Sequence, residues 1–335
     1  KNLAKYDKAV KYYKKSLDLR KQVLKVNKSD LALSYRMLGS TYVEIGLYEK
    51  AESVLEKAVK ITLVNFGERH LETAYAYSEL GFYWRKKGEY DKALEYSEKS
   101  LAIKKKIFGK DNINVAVNLN QIGILLHSRG SVGDLEKSVN YLQESLRIRK
   151  LKSGSNHPET ATSYENLGVV YNNMGRTKEA LSNYEKALSI KKRIFEESHP
   201  SVALSFYNLG RIHSDLANFE KSLELHKRAL AILLKNFGNF HERVATAYEG
   251  LGLAYSNMGF TEKALKCHSN SLEINLKIFG KDHPSVAISY NNLAYCYSDR
   301  GEDYKSINLK VMALEIRKKT MGEFHEMVAD SHNNL

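Results

Sequence analysis

Leu38, Leu80, Ile122, Leu167, Leu209, Leu251, Leu293 and Leu335 hold equivalent places in the chain, separated by 42, 42, 45, 42, 42, 42 and 42 residues. A small residue follows each of the first seven: Gly39, Gly81, Gly123, Gly168, Gly210, Gly252 and Ala294. Six positions before each stands an alanine, from Ala32 and Ala74 to Ala287 and Ala329. A period of this kind means one supersecondary unit stacked many times over a continuous core. The 335 residues are therefore read as one array rather than as two or three globular domains. Arrays of this sort present long surfaces to partners, and chemistry within them is not expected.

One repeat shows how the unit folds. His157-Pro158-Glu159 reads as a helix start, since proline in the first turn forfeits a hydrogen bond that would not be made and an acid there suits the helix dipole. Ala161, Tyr164, Leu167, Gly168 and Tyr171 then recur at the spacing of an amphipathic helix, which Gly175 ends. Ala180, Tyr184, Ala187, Leu188, Ile190 and Phe195 make a second helix. With so short a turn the two helices run antiparallel. Glycine inside a helix costs about 1 kcal/mol relative to alanine, so its return after the repeat leucine points to close helix contact. Ser131-Val132-Gly133 lengthens one inter-helix turn by three residues, a change that costs little.

By this register residues 1–26 are the second helix of a truncated repeat. Seven helix pairs follow over 27–325, and 326–335 begin a further first helix. The sequence is thus expected to be a piece of a longer array. No apolar run approaches the roughly 18 residues of a membrane span, and no basic-then-apolar leader opens the chain. Cys267 and Cys296 have no metal or CxxC spacing; they suggest packing roles in a reducing, cytoplasmic setting.

The residues Tyr164, Leu167-Gly168, Tyr171, Gly175, Ala180 and Ala187 resemble the tetratricopeptide repeat, as do Tyr77, Leu80-Gly81, Trp84, Gly88 and Ala93. The unit of 42 residues, His199-Pro200-Ser201-Val202-Ala203 and Phe279-Gly280 look like the kinesin light chain type. Leu119, Leu126 and His213 depart from its aromatics, and Glu196 from its terminal glycine. No stretch resembles that protein's heavy-chain-binding coiled coil. The resemblance implies an all-α, right-handed superhelical solenoid of antiparallel helix pairs, with the first helices lining a concave groove.

On that implication, positions two and one before the repeat leucine, and two, five and six after it, face the groove. The peptide-binding set expected there is Arg36, Arg85, Asn120, Asn166, Asn173, Tyr207, Asn208, Arg211, Asn257, Asn291 and Asn292. Glu79, Gln121, His127, Asn172 and Tyr295 share the face, and Asn333 and Asn334 extend it. Asparagine is a poor helix former, so its repetition needs a cause. Either the amides grip the backbone of an extended peptide, with the arginines selecting acidic groups, or they hydrogen-bond between repeats and stiffen the stack.

The net charge of +13 has two readings as well. Lys104-Lys105-Lys106, Arg147, Arg149-Lys150, Lys191-Lys192-Arg193 and Arg317-Lys318-Lys319 fall late in second helices, where cations complement the dipole. They are placed on an outer ridge; the sharper alternative, a nucleic-acid surface, is disfavoured because the tyrosines fill packing positions. His70, His157, His199, His241, His283 and His325 start successive repeats, on the order of 10 Å apart, too far to share a zinc ion. Capping or loop packing is expected of them.

The sequence thus points to a non-catalytic scaffold or adaptor without cofactor. Its partners are proteins or peptides, acidic ones among them, and its ends are free to associate end to end. The alternative is a sensor arm of an NTPase or protease whose catalytic domain lies elsewhere.

Overall fold

The computed structural model describes residues 2–22, 28–321, 323, 326–333 and 335; residues 23–26 of the expected truncated helix, His325 and Asn334 lie outside them. Every regular element among the described residues is an α-helix. They fall into two compact units, Lys1–Met174 and Gly175–Leu335. The first holds α1 (Asn2–Gln22), α2 (Lys28–Glu44), α3 (Tyr48–Phe66), α4 (Leu71–Lys86), α5 (Tyr90–Phe108), α6 (Ile113–Arg129), α7 (Asp134–Ser153) and α8 (Pro158–Asn173). The second holds α9 (Thr177–Ile194), α10 (Pro200–Asp215), α11 (Phe219–Phe237), α12 (Glu242–Asn257), α13 (Thr261–Phe279), α14 (Pro284–Asp299), α15 (Asp303–Met321) and α16 (Glu326–Asn333).

Short turns pair the helices. In the first unit α2 packs on α3, α4 on α5 and α6 on α7; in the second α10 packs on α11, α12 on α13 and α14 on α15. First helices also touch their counterparts in the next repeat, as α2 does α4 and α10 does α12. Each unit is therefore a stack of helix pairs rather than a closed bundle.

The helix starts follow from the histidine column. Nδ1 of His70, His157, His199, His241 and His283 accepts the backbone N–H two residues on, at 3.1–3.2 Å, satisfying one of the free donors of a helix N-terminus. Four of these rings also stack on the phenylalanine that closes the preceding helix. Phe195–His199, Phe237–His241 and Phe279–His283 lie 4.2 Å apart and Phe66–His70 4.6 Å. Asn112 takes the capping role at α6, accepting from Asn114 N–H at 2.8 Å.

The alanine column is fully enclosed, from Ala32 to Ala287. The glycine column does what its spacing predicts. A Cβ on Gly39 would stand 2.5 Å from Leu55, on Gly123 2.7 Å from Leu142, and on Gly252 2.5 Å from the His268 ring. No real Cβ sits so close, so in these pairs the second helix reaches its place only over bare backbone; the α14–α15 pair, with Ala294, is the exception.

The inserted Ser131-Val132-Gly133 is clipped down. Arg129 reaches both oxygens of buried Asp134 at 2.7 Å, and Asp134 accepts the Ser131 N–H at 3.1 Å. Val132 at its tip is wholly exposed.

Candidate peptide-binding groove

The first helices carry the residues named above, and their amides and arginines divide into two groups. In the first, hydrogen bonds run between neighbouring repeats or, at Asn291, between the two helices of one pair. Asn166 Nδ2 donates to Asn120 Oδ1 at 2.8 Å. Asn173 Nδ2 lies 2.7 Å from Nε2 of His127, and Asn257 Nδ2 donates to Ser214 Oγ at 2.7 Å. Arg36 is buried, pairs with Glu72 at 3.1 Å and lies over the Tyr75 ring. Asn291 turns its amide oxygen to Arg317, accepting at 2.7 and 3.1 Å. These side chains link the stack, whatever else they touch.

In the second group no hydrogen bond or ion pair among the described residues takes up the polar atoms. The guanidinium groups of Arg85 and Arg211 and the amides of Asn208 and Asn292 make no hydrogen bond or ion pair among the described residues. Arg85 lies over the ring of Phe82 at 5.2 Å. It also lines a hollow of about 70 Å³ with Ser78, Gly81, Ser97 and Gln121. Tyr207 packs edge-on against His226, and burial pushes its phenol pKa up.

Apolar residues share the face of this second group. Leu204, Asn208 and Arg211 follow one another at intervals of four and three on α10, as Ile288, Asn292 and Tyr295 do on α14, which puts each trio on one side of its helix. Leu204 is 50% exposed and Tyr295 53%; Leu253 on α12, at the Arg211 position, is 48% exposed. The second unit therefore offers a stripe that alternates apolar and amide groups.

The basic run placed on an outer ridge needs correction. Lys104, Arg149, Lys191 and Arg317 are 4, 5, 5 and 8% exposed. Each points between its own second helix and the next first helix. Lys104 Nζ reaches Asn118 Oδ1 at 2.6 Å and Ser78 Oγ at 3.0 Å. Arg149 reaches Ser163 Oγ at 2.7 Å, and Lys191 the Ser201 carbonyl at 3.1 Å. Asn275 Nδ2 lies 3.0 Å from Ser289 Oγ, and Arg20 and Arg317 reach Ser34 and Ser331. Apart from the Lys191 contact, which is to a backbone carbonyl ten residues on, the paired side chains stand fourteen residues apart: the long residue lies 24 or, past the insertion, 27 positions after the repeat leucine, its partner four before the next. Burial without an acid partner pushes the Lys104 ammonium pKa down to about 8, with Glu79 opposing and Arg36 adding to the shift. The sequence carried this signal as a second column, polar at one end and serine or asparagine at the other.

His226 and His268 occupy another shared position, 17 residues after the repeat leucine. Both are buried, with Nδ1 unpartnered, and burial pushes both pKa values down to about 4, with Arg211 contributing at His226. Among the described residues no three His, Cys, Asp or Glu side chains are grouped as metal ligands, and no helix is long and apolar enough to cross a membrane.

The Tetratricopeptide repeat family model matches residues 2–63, 72–150, 131–193, 164–235 and 243–319. The chain belongs to the tetratricopeptide repeat family. No curated protein matches it in sequence. Among solved structures, its repeats are similar to those of BtubC (BKLC) from P. vanneervenii, 25% identical over 70% of this chain and 93% of that one, TM-score 0.58. A kinesin light chain-like repeat protein from Podosopora anserina is 23% identical over 62% of this chain and 98% of that one, TM-score 0.50. A signal-transduction ATPase with a tetratricopeptide repeat sensor, from Pyrococcus horikoshii, is 20% identical over 87% of this chain and 43% of that one, TM-score 0.63. The last two likenesses carry the fold alone. Tetratricopeptide repeats are protein-interaction scaffolds, which is the level at which family membership speaks to function.

Proposed function

We propose that this chain, read as one array over residues 1–335, is an adaptor that holds an extended peptide along its first helices. The observation that carries the reading is the free stripe of the second unit. Asn208, Arg211 and Asn292 keep their hydrogen-bonding capacity beside exposed Leu204, Leu253, Ile288 and Tyr295. Amides at such intervals suit a peptide backbone, whose donors and acceptors also alternate. Arg85 and Arg211, without an ion pair among the described residues, favour a partner with acidic side chains. Asn120, Asn166, Asn173, Asn257 and Arg36 brace the face through bonds between repeats, and Asn291 does so through Arg317 of its own helix pair. Within this proposal they are positioning residues first and contacts second.

A peptide-display selection against the full chain tests it, run beside an Asn208→Ala/Arg211→Ala/Asn292→Ala variant. We expect enriched sequences on the parent chain that the variant no longer holds. Equal enrichment on both, with helicity unchanged, would remove the stripe from the function. The reading of the array as a sensor arm keeps the same groove and differs only in what flanks it; likeness to the ATPase sensor, being one of fold, does not advance it.

A further inference from the structure

The fourteen-residue pairs fill the space between one second helix and the next first helix with hydrogen-bonded side chains. In the second unit Asn275 and Arg317 do so, and Lys191 fills the same place by reaching the Ser201 carbonyl. Between α11 and α12 the column changes: Leu233 stands where the long polar residue is expected, and Ala247 replaces its serine. What the shorter pair leaves is a cavity of about 250 Å³, walled by Leu204, Tyr207, Leu233 and Ala247 and rimmed by Arg243 and Thr246. Leu204 and Thr246 hold the same place in successive repeats, and both are exposed on the groove-facing side. The cavity therefore opens where a bound peptide would pass.

We infer that this layer is the anchor of the groove, taking a large apolar side chain (leucine, methionine or phenylalanine) from a peptide that carries a carboxylate on a neighbouring residue. The inference rests on the peptide-groove reading and deepens it. Size and lining argue for the side chain. An apolar cavity of about 150 Å³ has room for benzene, so this open hollow has room for a large apolar side chain. Of the polar groups around it, Thr246 Oγ1 already donates to the Glu242 carbonyl at 3.2 Å. Charge argues for the carboxylate. The Arg243 guanidinium is exposed and makes no hydrogen bond or ion pair among the described residues; its one partner is the Phe237 ring, 5.6 Å away. Arg211, one turn beyond Tyr207, likewise makes no ion pair among the described residues, although Tyr207 also feels the half-buried Glu249. Arg243 at the rim, and Arg211 a turn beyond the Tyr207 wall, make no ion pair among the described residues, so the group that completes the site carries apolar bulk and negative charge close together.

The test uses the full chain and a synthetic peptide of the sequence that display selection enriches. Two variants close the cavity by different means. Ala247→Leu fills it from the α12 side, and Leu233→Arg/Ala247→Ser copies the pair found at Arg149 and Ser163. Each is expected to weaken binding by roughly 10- to 100-fold, the effect of burying one large apolar side chain. Replacing the peptide's apolar residue by alanine is expected to cost the parent chain the same factor and to cost Ala247→Leu little more. Arg243→Gln is expected to reduce affinity several-fold and to flatten its dependence on salt. Should the peptide's alanine substitution leave its affinity for the parent chain unchanged, the anchor is refuted even if a filled variant misfolds. Binding kept in both filled variants but lost in the Asn208/Arg211/Asn292 variant would refute the anchor and leave the groove standing. No enriched peptide at all would remove both.

Discussion

At the place facing the glycine column the two units use different chemistry. The first unit sets Leu55, Ser97 and Leu142 there; the second sets His226 and His268, and their imidazoles lie where a Cβ on Gly210 or Gly252 would fall. Repeat length is shared outside the three-residue insertion, and side chains of different size and polarity fill the place, so the fold fixes the close approach there and not the polarity. The polarity has consequences of its own, because only the second unit encloses a pair of titratable rings with a nitrogen left unpartnered.

The largest effect expected from that difference is on acid stability. The folded pKa of each imidazole is depressed to about 4, against about 6.5 unfolded. The contribution is present in full above pH 6.5 and is lost as pH falls from there towards 4, by on the order of 3 kcal/mol for each ring. His226→Leu/His268→Leu, which installs the residue of Leu55, should unfold with a flatter pH dependence in that window. Melting curves at pH 7.5, 6, 5 and 4.5 decide it, and parallel slopes for parent and variant would dissolve the contrast.

Next in size is the pressure on the glycines. Gly252→Ala places a methyl 2.5 Å from a fully enclosed ring and should cost roughly 1–3 kcal/mol. Gly81→Ala meets the Ser97 hydroxyl beside the hollow that Arg85 lines, so its cost should be smaller. Denaturant midpoints of the two variants give the ranking; a reversed order would mean that backbone, not the facing side chain, sets the strain.

The fourteen-residue pairs can be exchanged between units. Arg149→Leu should lose about 1–2 kcal/mol by leaving Ser163 without its cation. Adding Ser163→Ala, which reproduces Leu233 and Ala247, should recover most of that loss in a double-mutant cycle. Additive losses would show that the two side chains act separately.

The smallest effect concerns Ala217, whose φ of +58° falls where other repeats place Gly46, Gly88 or Gly130. Ala217→Gly should raise the midpoint of the second unit by about 0.5–1 kcal/mol, the strain of alanine in that region.

Much of the fold was legible in the sequence because leucine, glycine and alanine recur at a fixed period, and each has one packing reason to do so. The histidine caps were legible for a similar reason, since cap and ring partner lie within four residues of each other. The site was legible only as a set of positions. Asn120 and Asn166 are 46 residues apart, and nothing local distinguishes an amide that bonds its neighbour from Asn208 or Asn292, which do not. Lys104 belongs to the run Lys104-Lys105-Lys106, which reads as one solvated patch until the helix turns one member inward. That turn depends on the angle between helices, and a charge count does not contain it.

The fourteen-residue pairs also bear on how such a chain can grow or shrink. Repeats of equal length invite duplication and loss by recombination, and a backbone so regular would accept the new junction. The pairs would not always do so. Losing residues 21–62 would set Arg20, which bonds Ser34, against Ala76 and leave a cation facing a methyl group. Neighbouring repeats in this chain are thus bound to their order, and its history is open mainly to rearrangements that keep each long side chain with a partner able to receive it.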